Sequence, residues 1–283
     1  MKTDSPVTWV KINSWNDNLL ESKNDLLAVE EPLQIKLQFG KGEAWKEKAL
    51  TVTMRTPGHD FELATGFLLA ENIIQKRDDI QLIRYCKKVK PEEKGNVLIV
   101  KLDPSVEFDP TSLDRQFLTN SSCGICGKSA IDSISTLGVK MEPGIPKIKS
   151  ELFSLLNKRL LEVQVGFKYT GGMHAAALFS SNGELLILRE DVGRHNAFDK
   201  VVGAALENDI MPLDQHLVML SGRISFELVQ KSIKAGIPIL VAVGAPSSLA
   251  VSMAEEKGIT LIGFLKSGSF NIYSGKERVL FPD

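Results

Sequence analysis

The chain has 283 residues, 43% of them hydrophobic, enough to bury a substantial core in one large or two ordinary domains. Its 34 basic and 35 acidic side chains leave a net charge of −1, so no global field draws it to nucleic acid or to an anionic membrane surface, and any anion site has to be local. No stretch approaches the ~20 apolar residues of a membrane span, residues 1–6 lack the apolar core of a secretory signal, and Cys86, Cys123 and Cys126 are too few for a disulfide scaffold, so the expected location is the reducing cytoplasm, with no membrane or nucleic-acid partner.

Along the chain, Leu33, Ile35, Leu37 and Phe39 alternate with polar residues as in a half-buried strand, and residues 50–54 repeat the pattern. After the Pro57-Gly58 breaker, Asp60 is placed to cap a helix through Phe61, Leu63, Ala64, Phe67 and Leu68. Strands are predicted again at 81–85 and 97–102. From 103 to 120 apolar periodicity lapses, with prolines at 104 and 110, and this linker leads into Ser121-Ser122-Cys123-Gly124-Ile125-Cys126-Gly127. Residues 128–137 read as a short helix and 141–147 as a connector punctuated by Pro143, Gly144 and Pro146.

Ser150 and Glu151 then open a helix with Leu152, Leu155, Leu156, Leu160 and Val163 on one face, and strands 174–180 and 184–190 flank an Asn182-Gly183 turn. Helix 196–207, strand 217–220, helix 225–235, strand 237–243, helix 247–257 and strand 259–265 follow in regular alternation. Such alternation implies parallel strands with helices on both faces, and the continuous apolar runs at 237–243 and 259–264 suit strands covered on both sides. The predicted fold class is α/β. A three-layer α/β/α domain over 149–283 resembles the cytidine-deaminase-like fold, with one hairpin strand running against an otherwise parallel sheet. It follows a smaller strand-rich N-terminal α+β domain over 1–118, with a mobile cysteine loop and connector over 119–148 between them.

Glycines in and after the Cys123/Cys126 pair make its loop a flexible carrier of nucleophiles. A thiol on such a loop reaches into a partner's active site, accepts an atom and swings it to a second site, which is how a sulfur carrier works. Competing chemistries make other demands. Structural zinc needs four nitrogen or sulfur ligands, commonly as two close pairs, whereas Cys86 stands alone and His59, His174, His195 and His216 are scattered. A thioredoxin-type dithiol opens a helix after a strand, and here a polar linker precedes the pair. A zinc deaminase needs His-x-Glu and Pro-Cys-x-x-Cys at two helix starts, and neither occurs.

At those helix starts the chain has Arg189-Glu190-Asp191-Val192-Gly193-Arg194-His195-Asn196 and Ser221-Gly222-Arg223-Ile224-Ser225. Turns at the C-terminal ends of strands are where open α/β sheets bind ligands, and helix N-termini there hold anions such as phosphate, with Arg189, Arg194 and Arg223 assisting. The plainer alternatives are a surface ion-pair network of Arg194, Asp191 and Asp199, and a hydrogen-bonded core role for His174 after Thr170-Gly171-Gly172-Met173.

These blocks, in order with Thr65-Gly66-Phe67-Leu68 and Ala245-Pro246-Ser247-Ser248-Leu249-Ala250, resemble the FdhD family of formate dehydrogenase accessory sulfurtransferases, from about Pro32 to the C-terminus. The resemblance implies that Cys123 accepts a persulfide from a cysteine desulfurase, that Cys126 assists or resolves it, and that the sulfur passes to the molybdenum cofactor, bis-molybdopterin guanine dinucleotide, destined for formate dehydrogenase. It also implies a homodimer and a guanine-nucleotide segment, Phe264, Leu265, Lys266, Ser267, Gly268 and Ser269, with Arg223 and His195 beside it and GDP as a mimic. Phe264 suits stacking on a purine, Lys266 a phosphate, and the Ser-Gly-Ser backbone close amide donation. Family members often have arginine at position 266, and lysine keeps the charge without the bidentate fork. Position 247 carries serine where threonine is common, which keeps a hydroxyl. Read without the resemblance, 264–269 is a turn joining two strands. Two other functions stand beside the carrier: a cofactor-binding chaperone without sulfur transfer, and a dithiol oxidoreductase.

Overall fold

A computed structural model describes residues 5–42, 44–110, 141–142 and 144–282. It opens with a ribbon that the periodicity did not predict: β1 (Val7–Asn16) and β2 (Leu19–Ala28) pair antiparallel around Asp17 and Asn18, whose φ angles are 45° and 66°. Left-handed backbone at both turn residues matches the twist of the flanking strands, and Asp and Asn tolerate it well. Trp9, Trp15, Leu19 and Leu20 on this ribbon are each more than half exposed, so its pattern lacks the alternation of a strand seated on a core.

Strands β3 (Glu31–Phe39), β4 (Lys46–Arg55), β5 (Ile80–Tyr85) and β6 (Val97–Leu102) form a sheet in the order β4-β3-β6-β5, with β3 antiparallel to β4 and parallel to β6. Helix α1 (Asp60–Ala70) lies between β4 and β5 in the chain. His59, in left-handed backbone, takes its N-cap position. Asp60, expected as the cap, spends its buried carboxylate on Arg55 instead, at 3.0 and 2.8 Å.

Beyond the undescribed stretch come β7 (Ile148–Lys149), α2 (Ser150–Val163), α3 (Val165–Thr170), β8 (His174–Ser180), β9 (Leu185–Asp191), α4 (Arg194–Glu207), β10 (His216–Leu220), α5 (Phe226–Ala235), β11 (Ile239–Ala242), α6 (Ser248–Lys257), β12 (Thr260–Lys266), β13 (Ser269–Ser274) and β14 (Val279–Leu280). Six of these strands form a sheet in the order β13-β12-β11-β10-β8-β9. Strands β10, β11 and β12 are parallel and β8 runs against both neighbours, the arrangement expected of a cytidine-deaminase-like sheet. The antiparallel edge strand β13 is an addition to it.

Alternate residues of each strand feed two cores. Ala175, Ala177, Phe179, Leu217, Met219, Ile239 and Val241 meet Phe153, Leu156 and Leu160 of α2 on one face. Ala176, Leu178, Val218, Leu220, Leu240 and Ala242 face α4, α5 and α6 on the other, and that core continues through α1 to Leu33, Ile35 and Leu37 of the smaller sheet. Among the described residues no helix is long and apolar enough to cross a membrane.

The two sheets are joined where α1 crosses α4. A Cβ on Gly66 would sit 1.9 Å from the carbonyl oxygen of Asp199, and one on Gly203 would sit 1.9 Å from that of Glu62. Glycine is required at both places by the closeness of the two backbones. Alanine in an open helix outranks glycine by about 1 kcal/mol. At this crossing the sign reverses: Gly66→Ala is expected to destabilise the protein by about 3 kcal/mol through overpacking, read as a lowered urea midpoint at unchanged slope.

Candidate functional site

Because β8 runs against its neighbours, its first residue, His174, lies at the same edge as the C-terminal ends of β9, β10 and β11. The segments leaving that edge are laced together by their backbones. The Ser221 amide bonds Ala175 O, and Ser221 Oγ accepts the Ala175 amide at 2.8 Å. Gly244 donates to Gly222 O, Ile224 to Ala245 O, Ser247 to Ile224 O, and Phe264 to Gly244 O at 3.1 Å. The result is a shelf of peptide groups, and a Cβ on Gly244 would sit 2.9 Å from Gly222 O.

Most side chains of the run 189–200 are spent inside the protein. Arg189, expected to help an anion, pairs instead with Glu62 at 2.5 and 2.6 Å, 127 residues away. Glu190 accepts the amides of Gly166 and Phe167 and so starts α3. Asp191 is fully buried and accepts from the amides of Thr56 and Gly193, from Asn196 Nδ2, and from Lys200 Nζ at 2.7 Å. Asp199, also buried, bonds Lys231 at 2.5 Å. Asp191 and Asp199 therefore belong to buried lysine pairs, not to a surface network with Arg194. Burial pushes the Asp199 carboxyl up to about 6, against the pull of Lys231.

What remains free at the rim is positive. Arg194 is half-buried, and its Nε is shielded from solvent without a hydrogen-bond partner among the described residues. Arg223 is exposed and makes no hydrogen bond or ion pair with another described residue. His174 lies against Gly222, whose Cβ would meet its Nδ1 at 3.1 Å. Burial, then Arg194 and Arg223, hold the His174 imidazole below its ordinary range. His195 Nε2 meets Ser225 Oγ at 2.9 Å and Glu227 at 3.5 Å. Burial lowers His195 to about 4, aided by Lys231 and Arg194 and opposed by Glu227. Both imidazoles are thus neutral at neutral pH, and the charge of the rim resides on two guanidinium groups.

Phe264 borders this rim. It sits in a bulge of β12 with φ 53°, and its side chain is 44% exposed. The bulge lets Leu265 turn inward to join the α2-side core while Phe264 and Lys266 face out. Lys266 pairs with Ser269 across the Ser267-Gly268 turn, and the Gly268 amide bonds Ser154 Oγ of α2 at 3.1 Å. The segment 264–269 is therefore a hairpin tip. Phe264 and Arg223 flank Gly244, since a Cβ there would lie 3.0 Å from the Arg223 amide. The fold brings Phe264, Arg223, Arg194, His174 and His195 to one edge and puts Leu265 beneath it. A guanidinium nitrogen lacking a partner and an arginine free of ion pairs among the described residues, beside an exposed ring, suit a ligand with an anionic part and a flat ring.

Cys123 and Cys126 lie outside the described residues, as does the helix predicted at 128–137. The chain approaches that segment with Phe108 edge-on to Phe39 at 4.7 Å and Pro110 O accepting from Lys48. It leaves with the Met141 amide on Lys257 O and with Arg278, fully buried, donating to the carbonyls of Glu142, Ile145 and Gly258. Helix α6 runs from the shelf to Lys257, so the exit lies at the opposite edge of the large sheet. Arg278 went unnoticed in the sequence because nothing local distinguishes it from a surface arginine. Among the described residues no cluster of His, Cys, Asp and Glu could hold a metal ion.

The sequence model of the FdhD/NarQ family matches residues 28–280. The sulfur carrier protein FdhD of Streptomyces coelicolor is 46% identical over 273 residues, covering 95% of this chain and 94% of that protein. The sulfur carrier protein FdhD of Saccharolobus solfataricus is 42% identical over 256 residues, covering 90% and 91%. The crystal structure of a candidate formate dehydrogenase accessory protein from Desulfotalea psychrophila matches with a TM-score of 0.72 at 22% identity, over 98% of this chain and 100% of that one, a likeness of fold.

The Arg189–Glu62 pair that anchors this run to α1 has a pH signature. Burial raises the Glu62 carboxyl, but hydrogen bonds from Arg189 and His59 outweigh it and hold the group at about 2, against an ordinary 4.5. A depressed folded pKa supplies stability that is present above 4.5 and lost as pH falls toward 2. Urea midpoints measured in steps across that window are expected to fall more steeply for the wild type than for Glu62→Gln, which starts lower at neutral pH.

Proposed function

This chain belongs to the FdhD/NarQ family, and we propose that it is a sulfur carrier in formate dehydrogenase maturation. Cys123 takes a persulfide from a cysteine desulfurase, and the sulfur passes to the molybdenum cofactor, bis-molybdopterin guanine dinucleotide, as substrate. The near full-length likeness to proteins named sulfur carrier protein FdhD carries this reading. The Cys123 thiolate attacks the outer sulfur of the donor's persulfide, the donor's S–S bond breaks, and its thiolate leaves. In this reading Cys126 assists or resolves the adduct. Such chemistry makes the protein a sulfurtransferase acting in the cytoplasm.

The nucleotide part of the reading rests on the rim. Phe264 offers a stacking face, and Arg223 and Arg194 offer guanidinium donors to a diphosphate beside the amides of the shelf. Lys266 adds charge farther along the hairpin. The exposed tryptophans of the β1–β2 ribbon support a homodimer, because a two-stranded ribbon with apolar side chains in water is marginal until another surface covers it.

Incubation with a cysteine desulfurase and cysteine is expected to add one sulfur atom to the protein by intact mass, lost on reduction and absent in Cys123→Ala. A wild-type protein that gains no mass would sink the carrier reading in favour of a cofactor chaperone, and a reversible Cys123–Cys126 disulfide with no adduct would mark a dithiol oxidoreductase. Separately, calorimetric titration with GDP is expected to show Arg223→Gln binding about tenfold more weakly, the loss of one charge-assisted hydrogen bond.

A further inference from the structure

The turn 191–196 presents Arg194 and His195 to the rim from an unfavourable position. Arg194 is the first residue of α4, whose first turn carries no acidic side chain, so the positive end of the helix and the nearby Arg223 both repel its charge. From the large sheet, Asp191 at the end of β9 answers this turn by accepting the Gly193 amide and Asn196 Nδ2. The turn is gripped as well from the smaller sheet, by residues 53–56 at the end of β4. Thr53 Oγ1 donates to Asn196 Oδ1 at 3.0 Å, and Asn196 Nδ2 donates to Met54 O at 2.7 Å and to Asp191. The Thr56 amide bonds Asp191 Oδ2 at 3.1 Å, Thr56 Oγ1 accepts the Val192 amide at 3.2 Å, and Thr56 O accepts Lys200 Nζ at 2.9 Å.

We propose that Thr53 and Thr56 are positioning residues for the nucleotide rim: through Asn196 and Asp191 they hold the turn that aims Arg194 and His195 at the ligand. This rests on the nucleotide reading of that edge. The Thr53 hydroxyl is the part open to test, because it is half-buried at a strand end and does one thing, supplying the donor that sets the Asn196 amide. With that donor gone, Asn196 Oδ1 loses its partner, the amide is free to turn, and the grip on both Met54 O and Asp191 loosens.

The test compares Thr53→Val, which keeps the shape and removes the hydroxyl, with Thr53→Ser, which keeps the hydroxyl. In calorimetric titrations with GDP, Thr53→Val is expected to bind about fivefold more weakly, the worth of one hydrogen bond, while Thr53→Ser binds as the wild type does. A second readout needs no ligand. The His195 ring is surrounded by Ser225, Glu227, Lys231, Arg194 and His174, and burial is the main cause of its depression. NMR titration of its imidazole should therefore move up from about 4 in Thr53→Val, as the turn opens to water, and stay in place in Thr53→Ser. Equal weakening in both variants, or no change of affinity and titration in either, overturns the proposal. A wild-type protein that binds no GDP overturns the nucleotide reading of the rim, and the His195 titration then decides the brace by itself.

Discussion

A carboxylate with no exposed surface organises this protein. Asp191 lies at the end of β9 and takes four donors, from Thr56, Gly193, Asn196 and Lys200, which come from both sheets and from α4. Burying a charge is costly unless it is paired and hydrogen-bonded, and at Asp191 the ends of β4 and β9 and the first turns of α4 converge on one point to supply those partners. Lys200, itself fully buried, has the same requirement from the other side. Removing either partner leaves the other uncompensated in the interior, at a cost of ~3–5 kcal/mol.

The helix crossing next to this point follows from the same convergence. Gly66 and Gly203 let α1 and α4 approach until backbone meets backbone, and Arg189–Glu62 and Lys231–Asp199 close over the seam. The smaller sheet is thereby locked to the larger one through packing that tolerates no extra methyl and through charges that need their partners. Its role reaches beyond support, because the strand end that answers Asp191 also grips the turn carrying Arg194 and His195.

The rim inverts that economy. Inside, each cation has an anion or a set of carbonyls. At the edge, among the described residues, Arg223 has no ion pair and Arg194 keeps a shielded nitrogen without a partner, while His174 and His195 are held neutral. Guanidinium charge without an anion among the described residues is the feature on which the proposed anion site rests. Phe264, kept in left-handed backbone by the β12 bulge, adds an aromatic face to it.

By itself the sequence determined the elements whose burial is written locally. The apolar runs at 237–243 and 259–264 and the helical spacing after Ser150 identify strands covered on both faces and a one-sided helix, and the cytidine-deaminase-like order follows from their alternation. The Cys-x-x-Cys run and its neighbouring blocks named the family, since residue types in order survive without coordinates. The ribbon β1–β2 escaped because exposed strands leave weak periodicity, whereas reading 264–269 as a turn joining two strands already implied β13. Tertiary structure alone decided which charges are spent and which are free. Arg189 and Arg194 look alike in one motif, yet a glutamate 127 residues away claims the first and no described residue answers the Nε of the second. Electrostatic partners are chosen by distance in space, and no local pattern encodes that distance.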